Sequence, residues 1–217
     1  GKTTLLRLVD GLLAPDSGTI RIGGAPPQPS RRIGFVFQSF RLIPWATALD
    51  NVAFPLELAG IGRAEREDSA RRWLDRVGLG RHHDAYPSQL SGMKQRVALA
   101  RAFAGDPDVL LLDEPFASLD AQTREIMQLE LLRLWEERKL TALFVTHSVE
   151  EAILLADRVV VMGPAPGSLR EIVAVNLPRP RLDAVRSNPD FMALRSGLTE
   201  TIRALITSDP NSPFFSR

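Results

Sequence analysis

Two short stretches carry residue types that handle phosphate and metal ions. The chain opens Gly1-Lys2-Thr3-Thr4 and runs directly into the apolar helical pattern Leu5, Leu6, Leu8, Val9. Glycine lets backbone N–H groups close on phosphate oxygens, and a helix start adds a favourable dipole. A lysine then reaches β- and γ-phosphates, and a threonine hydroxyl ligates Mg²⁺. The tetrapeptide matches the second half of G-x-x-x-x-G-K-[ST]. Gly1, Lys2, Thr3 and Thr4 are thus candidate nucleotide contacts, in a chain expected to begin partway through its own phosphate loop. Taken alone, the four residues read equally well as a basic, glycine-led terminus. The second stretch is Val109-Leu110-Leu111-Leu112-Asp113-Glu114-Pro115. Carboxylates at the C-terminal end of a buried strand face the crevice where open α/β sheets bind ligands. Asp113 would hold the Mg²⁺ shell, and Glu114 would polarise an attacking water as general base.

The elements that must position these groups are readable from apolar patterning. Val109 to Leu112 and Ala142 to Val145 are short apolar runs, the pattern of strands buried on both faces in a parallel sheet. Arg158 to Met162 reads as a third strand, closed by Gly163-Pro164. Lys94 to Ala104 and Thr123 to Arg138 read as helices, the latter with Ile126, Leu129, Leu132 and Leu134 on its apolar side. Strands alternating with helices predict an α/β fold with a mainly parallel sheet. Leu49 to Leu90 has no strand pattern; Glu65 to Val77 is helical there, and the segment reads as an inserted helical subdomain. The expected organisation is a nucleotide-binding core over 1–48 and 91–176, the helical subdomain over 49–90, and a Pro-rich linker plus helical tail over 177–217. Within the tail, Phe191, Leu194, Leu198, Ile202 and Leu205 keep helical spacing across Asn188 to Ile206.

The string Gln89-Leu90-Ser91-Gly92-Met93-Lys94-Gln95-Arg96, followed by Ala100-Arg101-Ala102, resembles the signature of the ABC ATPases. That family carries L-S-G-G-x, then Q-R and a helix ending A-R-A. Phe35-Val36-Phe37-Gln38 resembles its Q-loop, Ala117-Ser118-Leu119-Asp120 its D-loop, and Val145-Thr146-His147-Ser148 its switch histidine. Lys2, Gln38, Ser91, Asp113, Glu114, Asp120 and His147 stand in the family's order across nearly the whole chain. The resemblance implies a P-loop NTPase fold whose first strands, with an adenine-stacking aromatic residue, lie upstream of Gly1. It implies that Ser91 and Gly92 bind the γ-phosphate of ATP held by the opposite subunit, so that hydrolysis needs a dimer. Gln38 would contact Mg²⁺ or the water, Asp120 would lie at the dimer interface, and His147 would contact the γ-phosphate. Ser91 also reads as a helix cap, as does Asp120. His82 and His83 read as solvated loop residues. The family has two glycines after the serine, whereas Met93 follows Gly92 here. Losing one residue rotates Ser91 by about 100° relative to the helix and removes a backbone donor.

Leu42-Ile43-Pro44-Trp45, Asp50 to Phe54, Tyr86-Pro87, Leu177-Pro178-Arg179-Pro180-Arg181 and Pro189-Asp190-Phe191 resemble the ATPases of nitrate, sulfonate and taurine importers. That resemblance implies membrane permease subunits, a second ATPase subunit, a periplasmic solute-binding protein acting indirectly, and a place on the cytoplasmic face of the inner membrane. A non-transport ABC ATPase and a degenerate, non-catalytic subunit stay open as alternatives. A formal net charge of +1 over 217 residues gives no footprint for nucleic acid. The absence of cysteine excludes disulfides, thiolate metal sites and cysteine nucleophiles. No apolar run approaches the roughly 20 residues of a membrane span.

Overall fold

The computed structural model describes residues 1–28, 32–163 and 168–208. Three parallel strands, β1 (Ile33–Val36), β2 (Val109–Asp113) and β3 (Thr141–Val145), lie side by side in that order. β2 is buried throughout, and its pleat divides the core. Leu110 and Leu112 face a cluster with α2 (Ala48–Leu58), α3 (Arg63–Arg76), α4 (Lys94–Ala104) and α5 (Ala121–Arg138). Val109 and Leu111 face Leu6 of α1 (Lys2–Val9) and Val145 of β3. A third cluster joins α6 (Val149–Leu155), β4 (Arg158–Met162), β5 (Leu169–Ala174) and α7 (Pro189–Ser208).

The α/β architecture with a parallel sheet is as expected, but three local expectations need correction. β3 is exposed at Thr141 and Ala142, half-buried at Leu143 and Phe144, and buried only at Val145, because it is the edge of its sheet. β4 does not join the parallel sheet; it pairs antiparallel with β5 as a separate two-stranded unit. Gly163 follows β4, while Pro164 lies outside the described residues. On α5, Ile126 points to solvent, and Met127, Leu131 and Leu134 form the core stripe beside Leu132.

Between residues 48 and 90 the described elements are α2, α3 and a single 3₁₀ turn, Pro87–Gln89. The start of α2 is fixed by a capping box: the Thr47 hydroxyl accepts from the Asp50 N–H, and the Asp50 carboxylate accepts from the Thr47 N–H. Gly34 of β1 is needed because a Cβ there would meet the Ala102 carbonyl oxygen of α4 at 2.5 Å. The Pro-rich stretch is packed: Leu177 and Arg181 are buried, and the Arg181 guanidinium donates to the carbonyls of Ile153, Leu154 and Ala156 at the end of α6 and of Val175 and Leu177. His82 and His83 are half-buried, not solvated, and the His83 ring has Arg71 at 3.3 Å and Asp75 at 3.7 Å beside it.

Candidate functional site

The chemistry-bearing residues gather where the three parallel strands end. α1 brings its first turn to this edge, packed on β2 and β3 through Leu6. The Thr3 hydroxyl donates to Asp113 Oδ1 at 3.1 Å. Two hard oxygens side by side, one a carboxylate at the buried end of β2, are the donor set that suits Mg²⁺, which keeps several of its own waters. Lys2 is half-buried beside Thr3, while Gly1 and Thr4 are exposed.

Glu114 is the hub of the site. Its backbone lies in the left-handed region, φ 47, which costs a residue with a Cβ free energy and marks a constrained position. Its N–H donates to the Val145 carbonyl at 3.0 Å, which carries the pairing of β2 and β3 one residue past the strands. Its carboxylate faces two partners: His147 Nε2 stands 2.6 Å from Oε1, and Gln38 Nε2 donates to Oε2 at 3.3 Å. The imidazole is largely exposed and the carboxylate mostly buried. Thus the second residue after β3, the residue after β2 and the loop after β1 meet at one carboxylate. A water near that carboxylate would find an acceptor whose lone pairs are oriented by neighbours on both sides.

The other predicted residues stand apart from this cluster. Asp120 is the N-cap of α5, its carboxylate accepting from the Thr123 N–H at 3.0 Å. That backbone bond, with the side-chain contact to Thr123, holds the Asp120 carboxyl below its ordinary range. Ser91 does not cap α4: the N-cap is Met93, and Ser91 and Gly92 form the exposed turn before it, with Gly92 at φ 72. Nothing lies within 4 Å of a Cβ built at Gly92, so its need for glycine is conformational. Among the described residues, neither Ser91, Gly92 nor Asp120 bonds to the Glu114 cluster.

Sequence reasoning missed the residues that hold the Gln38 loop. Phe40 and Arg41 both have positive φ, 58 and 43, just past Gln38. Arg101 of α4 clamps that turn, donating to the carbonyls of Phe40 at 2.6 Å and Arg41 at 2.7 Å. Burial lowers the Arg101 pKa, as expected for a cation held by neutral carbonyls. Further along, buried Asn51 accepts from the Ile43 N–H and donates to the carbonyls of Ile43, Ala46 and Thr47. An arginine in a helix and an asparagine in an apolar run give no sign in sequence of a partner far along the chain or around a loop.

A family model described as ABC transporter matches residues 1–117. The chain belongs to the ABC transporter ATPases. It is 49% identical over 205 residues to an uncharacterised ABC transporter ATP-binding protein of Methanocaldococcus jannaschii, covering 94% of this chain and 76% of that one. It is 46% identical over 211 residues to a taurine import ATP-binding protein of Chromobacterium violaceum, covering 94% and 81%. A nitrate import ATP-binding protein of a Synechocystis strain is 42% identical over 217 residues, covering 96% and 82%. Among solved structures, an ATP-binding cassette captured as a dimer in a post-hydrolysis state with ADP and Pi matches with a TM-score of 0.71 at 32% identity, covering 82% of each chain. These matches make the chain an ABC ATPase subunit, an ATP hydrolase on a P-loop NTPase fold.

Proposed function

We propose that this subunit powers an importer of a small solute of the nitrate, sulfonate or taurine kind, by hydrolysing Mg²⁺-bound ATP at the Glu114 cluster. The single observation that carries the site assignment is the convergence of Gln38 and His147 on the Glu114 carboxylate, beside the Thr3–Asp113 pair. The import reading is supported by the taurine and nitrate import relatives.

In this reading Thr3, Asp113 and Gln38 hold Mg²⁺, which neutralises charge on the transferring phosphate when bound. Gly1, Lys2, Thr3 and Thr4 bind the nucleotide phosphates. Glu114 accepts a proton from the attacking water, Gln38 orients that water, and His147 contacts the γ-phosphate while keeping Glu114 aligned. Ser91, Gly92 and Asp120 act on a second subunit, which fits their place outside the Glu114 cluster. No helix among the described residues is long and apolar enough to cross a membrane, so contact with the membrane would run through permease subunits at its cytoplasmic face. The segment that follows the Gln38 loop offers large exposed apolar side chains for that contact, Trp45 at 80% exposure before α2 and Leu58 at 73% at its far end. Residues 49–90 would serve as the helical subdomain that carries this surface, 1–48 and 91–176 as the nucleotide-binding core, and 177–217 as the tail. A periplasmic solute-binding protein would choose the solute.

The test is ATP hydrolysis with and without Mg²⁺ by the wild type and by Glu114→Gln. Hydrolysis is expected to need Mg²⁺ and to fall at least about 100-fold in the variant, the lower range for loss of a general base. A variant that keeps its rate would remove Glu114 from the chemistry, and wild-type protein inert even beside its permease would favour a non-catalytic subunit.

A further inference from the structure

His147 itself is mostly exposed, yet the backbone on either side of it is held by a closed ring of hydrogen bonds. The Ser148 N–H donates to the Thr146 hydroxyl oxygen at 2.9 Å, a side-chain turn with His147 at its centre. The Thr146 hydroxyl donates in turn to Glu151 Oε2 at 2.5 Å. The Glu151 N–H closes the ring on Ser148 Oγ, the N-cap of α6, at 3.3 Å. A hydroxyl whose single proton is committed to a carboxylate must turn its lone pairs elsewhere, here onto the Ser148 N–H.

Glu151 is only 7% exposed, and a buried carboxylate is kept only where it is paired and hydrogen-bonded. Its other oxygen accepts from Gln128 Nε2 of α5 at 3.1 Å, with Arg124 of the same helix at 3.9 Å. The Gln128 amide oxygen accepts from Arg186 at 3.0 Å, in the 3₁₀ turn Asp183–Ser187 that precedes α7. Arg186 and Arg195 of α7 both bind the Glu150 carboxylate, the residue before Glu151. A continuous polar chain thus runs from the C-terminal segment, through α5, to the two peptides that flank His147.

We infer that Glu151 is a positioning residue for His147, and that docking of the C-terminal segment through Arg186 sets how firmly it does so. This rests on the reading of His147 as a residue of ATP hydrolysis. The carboxylate is buried and engaged by Thr146 and Gln128, away from the Glu114 cluster's own bonds. It fixes the Thr146–Ser148 turn, and the turn fixes the ring against Glu114. Loosening the C-terminal segment frees Gln128, then Glu151, and lets the imidazole leave its 2.6 Å contact. Turnover becomes sensitive to whatever binds the C-terminal segment, although that segment supplies no group to the chemistry.

Thr146→Val and Thr146→Ser separate positioning from folding, because valine keeps the shape of threonine without its hydroxyl and serine keeps the hydroxyl. In Thr146→Val and Glu151→Ala, kcat is expected to fall about tenfold, as for loss of a group that orients a reacting one. KM for ATP should stay within a factor of about three, since the other nucleotide contacts, at Gly1 to Thr4, are untouched. Thr146→Ser should keep most of the wild-type rate. Arg186→Ala should lower kcat by about threefold, being one hydrogen bond further out. NMR resonances of the His147 ring, assigned with His147→Gln, give a readout that needs no turnover. They should move in Thr146→Val, Glu151→Ala and Arg186→Ala and stay in Thr146→Ser. Unchanged His147 resonances in a folded Thr146→Val chain overturn the inference, as does an equal loss of rate in Thr146→Val and Thr146→Ser. If His147→Gln hydrolyses ATP at the wild-type rate, the reading of His147 fails instead, and the resonances alone decide whether the ring of bonds positions it.

Discussion

Asp10 closes α1 as its C-cap, and burial pushes its carboxyl from 3.8 up to about 6. The folded state then holds more protons than the unfolded chain between those values, so stability falls as pH rises through that window and the loss is complete above it. Asp10→Asn removes the charge and should raise the melting temperature at pH 7.5 by about 2 °C, a small effect because the group is only half-buried. At pH 3.5 the variant and wild type should melt together, as calorimetry at the two pH values will show. No pattern in the sequence marks Asp10, since desolvation depends on what packs around it. Asp113 and Glu114 are different. Two carboxylates after a fully apolar run conflict with every structural preference of that run, and such conflict is legible. Gln38 and His147 were placed by their order relative to these residues. That they meet on a single Glu114 carboxylate could be seen only in three dimensions.

α4 runs from Lys94 to Ala104, the bounds expected for a helix there from the sequence. Its tertiary task was hidden. Arg101 reaches out of its last turn to clamp the two carbonyls of the strained Phe40–Arg41 turn. A planar guanidinium spans two acceptors with fixed geometry, and an ammonium does not. Arg101→Lys should therefore cost about 1 kcal/mol in urea unfolding, the worth of one such bond, and should slow hydrolysis by loosening Gln38. A urea midpoint and rate both equal to wild type would show that the turn holds itself. β5 escaped sequence reading for a simpler reason: five of its six residues are exposed, so it has no apolar periodicity. Ile126 was misassigned on α5 because the core stripe is set one residue later, at Met127, Leu131 and Leu134.

Across the whole molecule, the described residues form three apolar clusters, and Arg181 braces the one that holds α6, β4, β5 and α7. Its buried guanidinium serves the carbonyls that end α6 and those of Val175 and Leu177, so it ties the C-terminal segment to the helix that follows His147. Arg181→Met keeps the apolar stem but takes the guanidinium from five carbonyls, four of them in buried contacts. Unfolding stability should drop by about 3 kcal/mol, comparable to breaking a buried charged contact, and a loss below about 1 kcal/mol would mean that water replaces the arginine. An arginine at the end of a Pro-rich stretch looks solvated in sequence, because nothing local reveals a cage of carbonyls.

The contact between Gly34 and the Ala102 carbonyl has a mechanical consequence. With no side chain between them, the backbones of β1 and α4 meet directly, and Arg101, the neighbour of Ala102, fastens the Phe40–Arg41 turn beyond β1 to the same helix. A tilt of α4 would therefore carry β1 and the loop after Gln38 along with it.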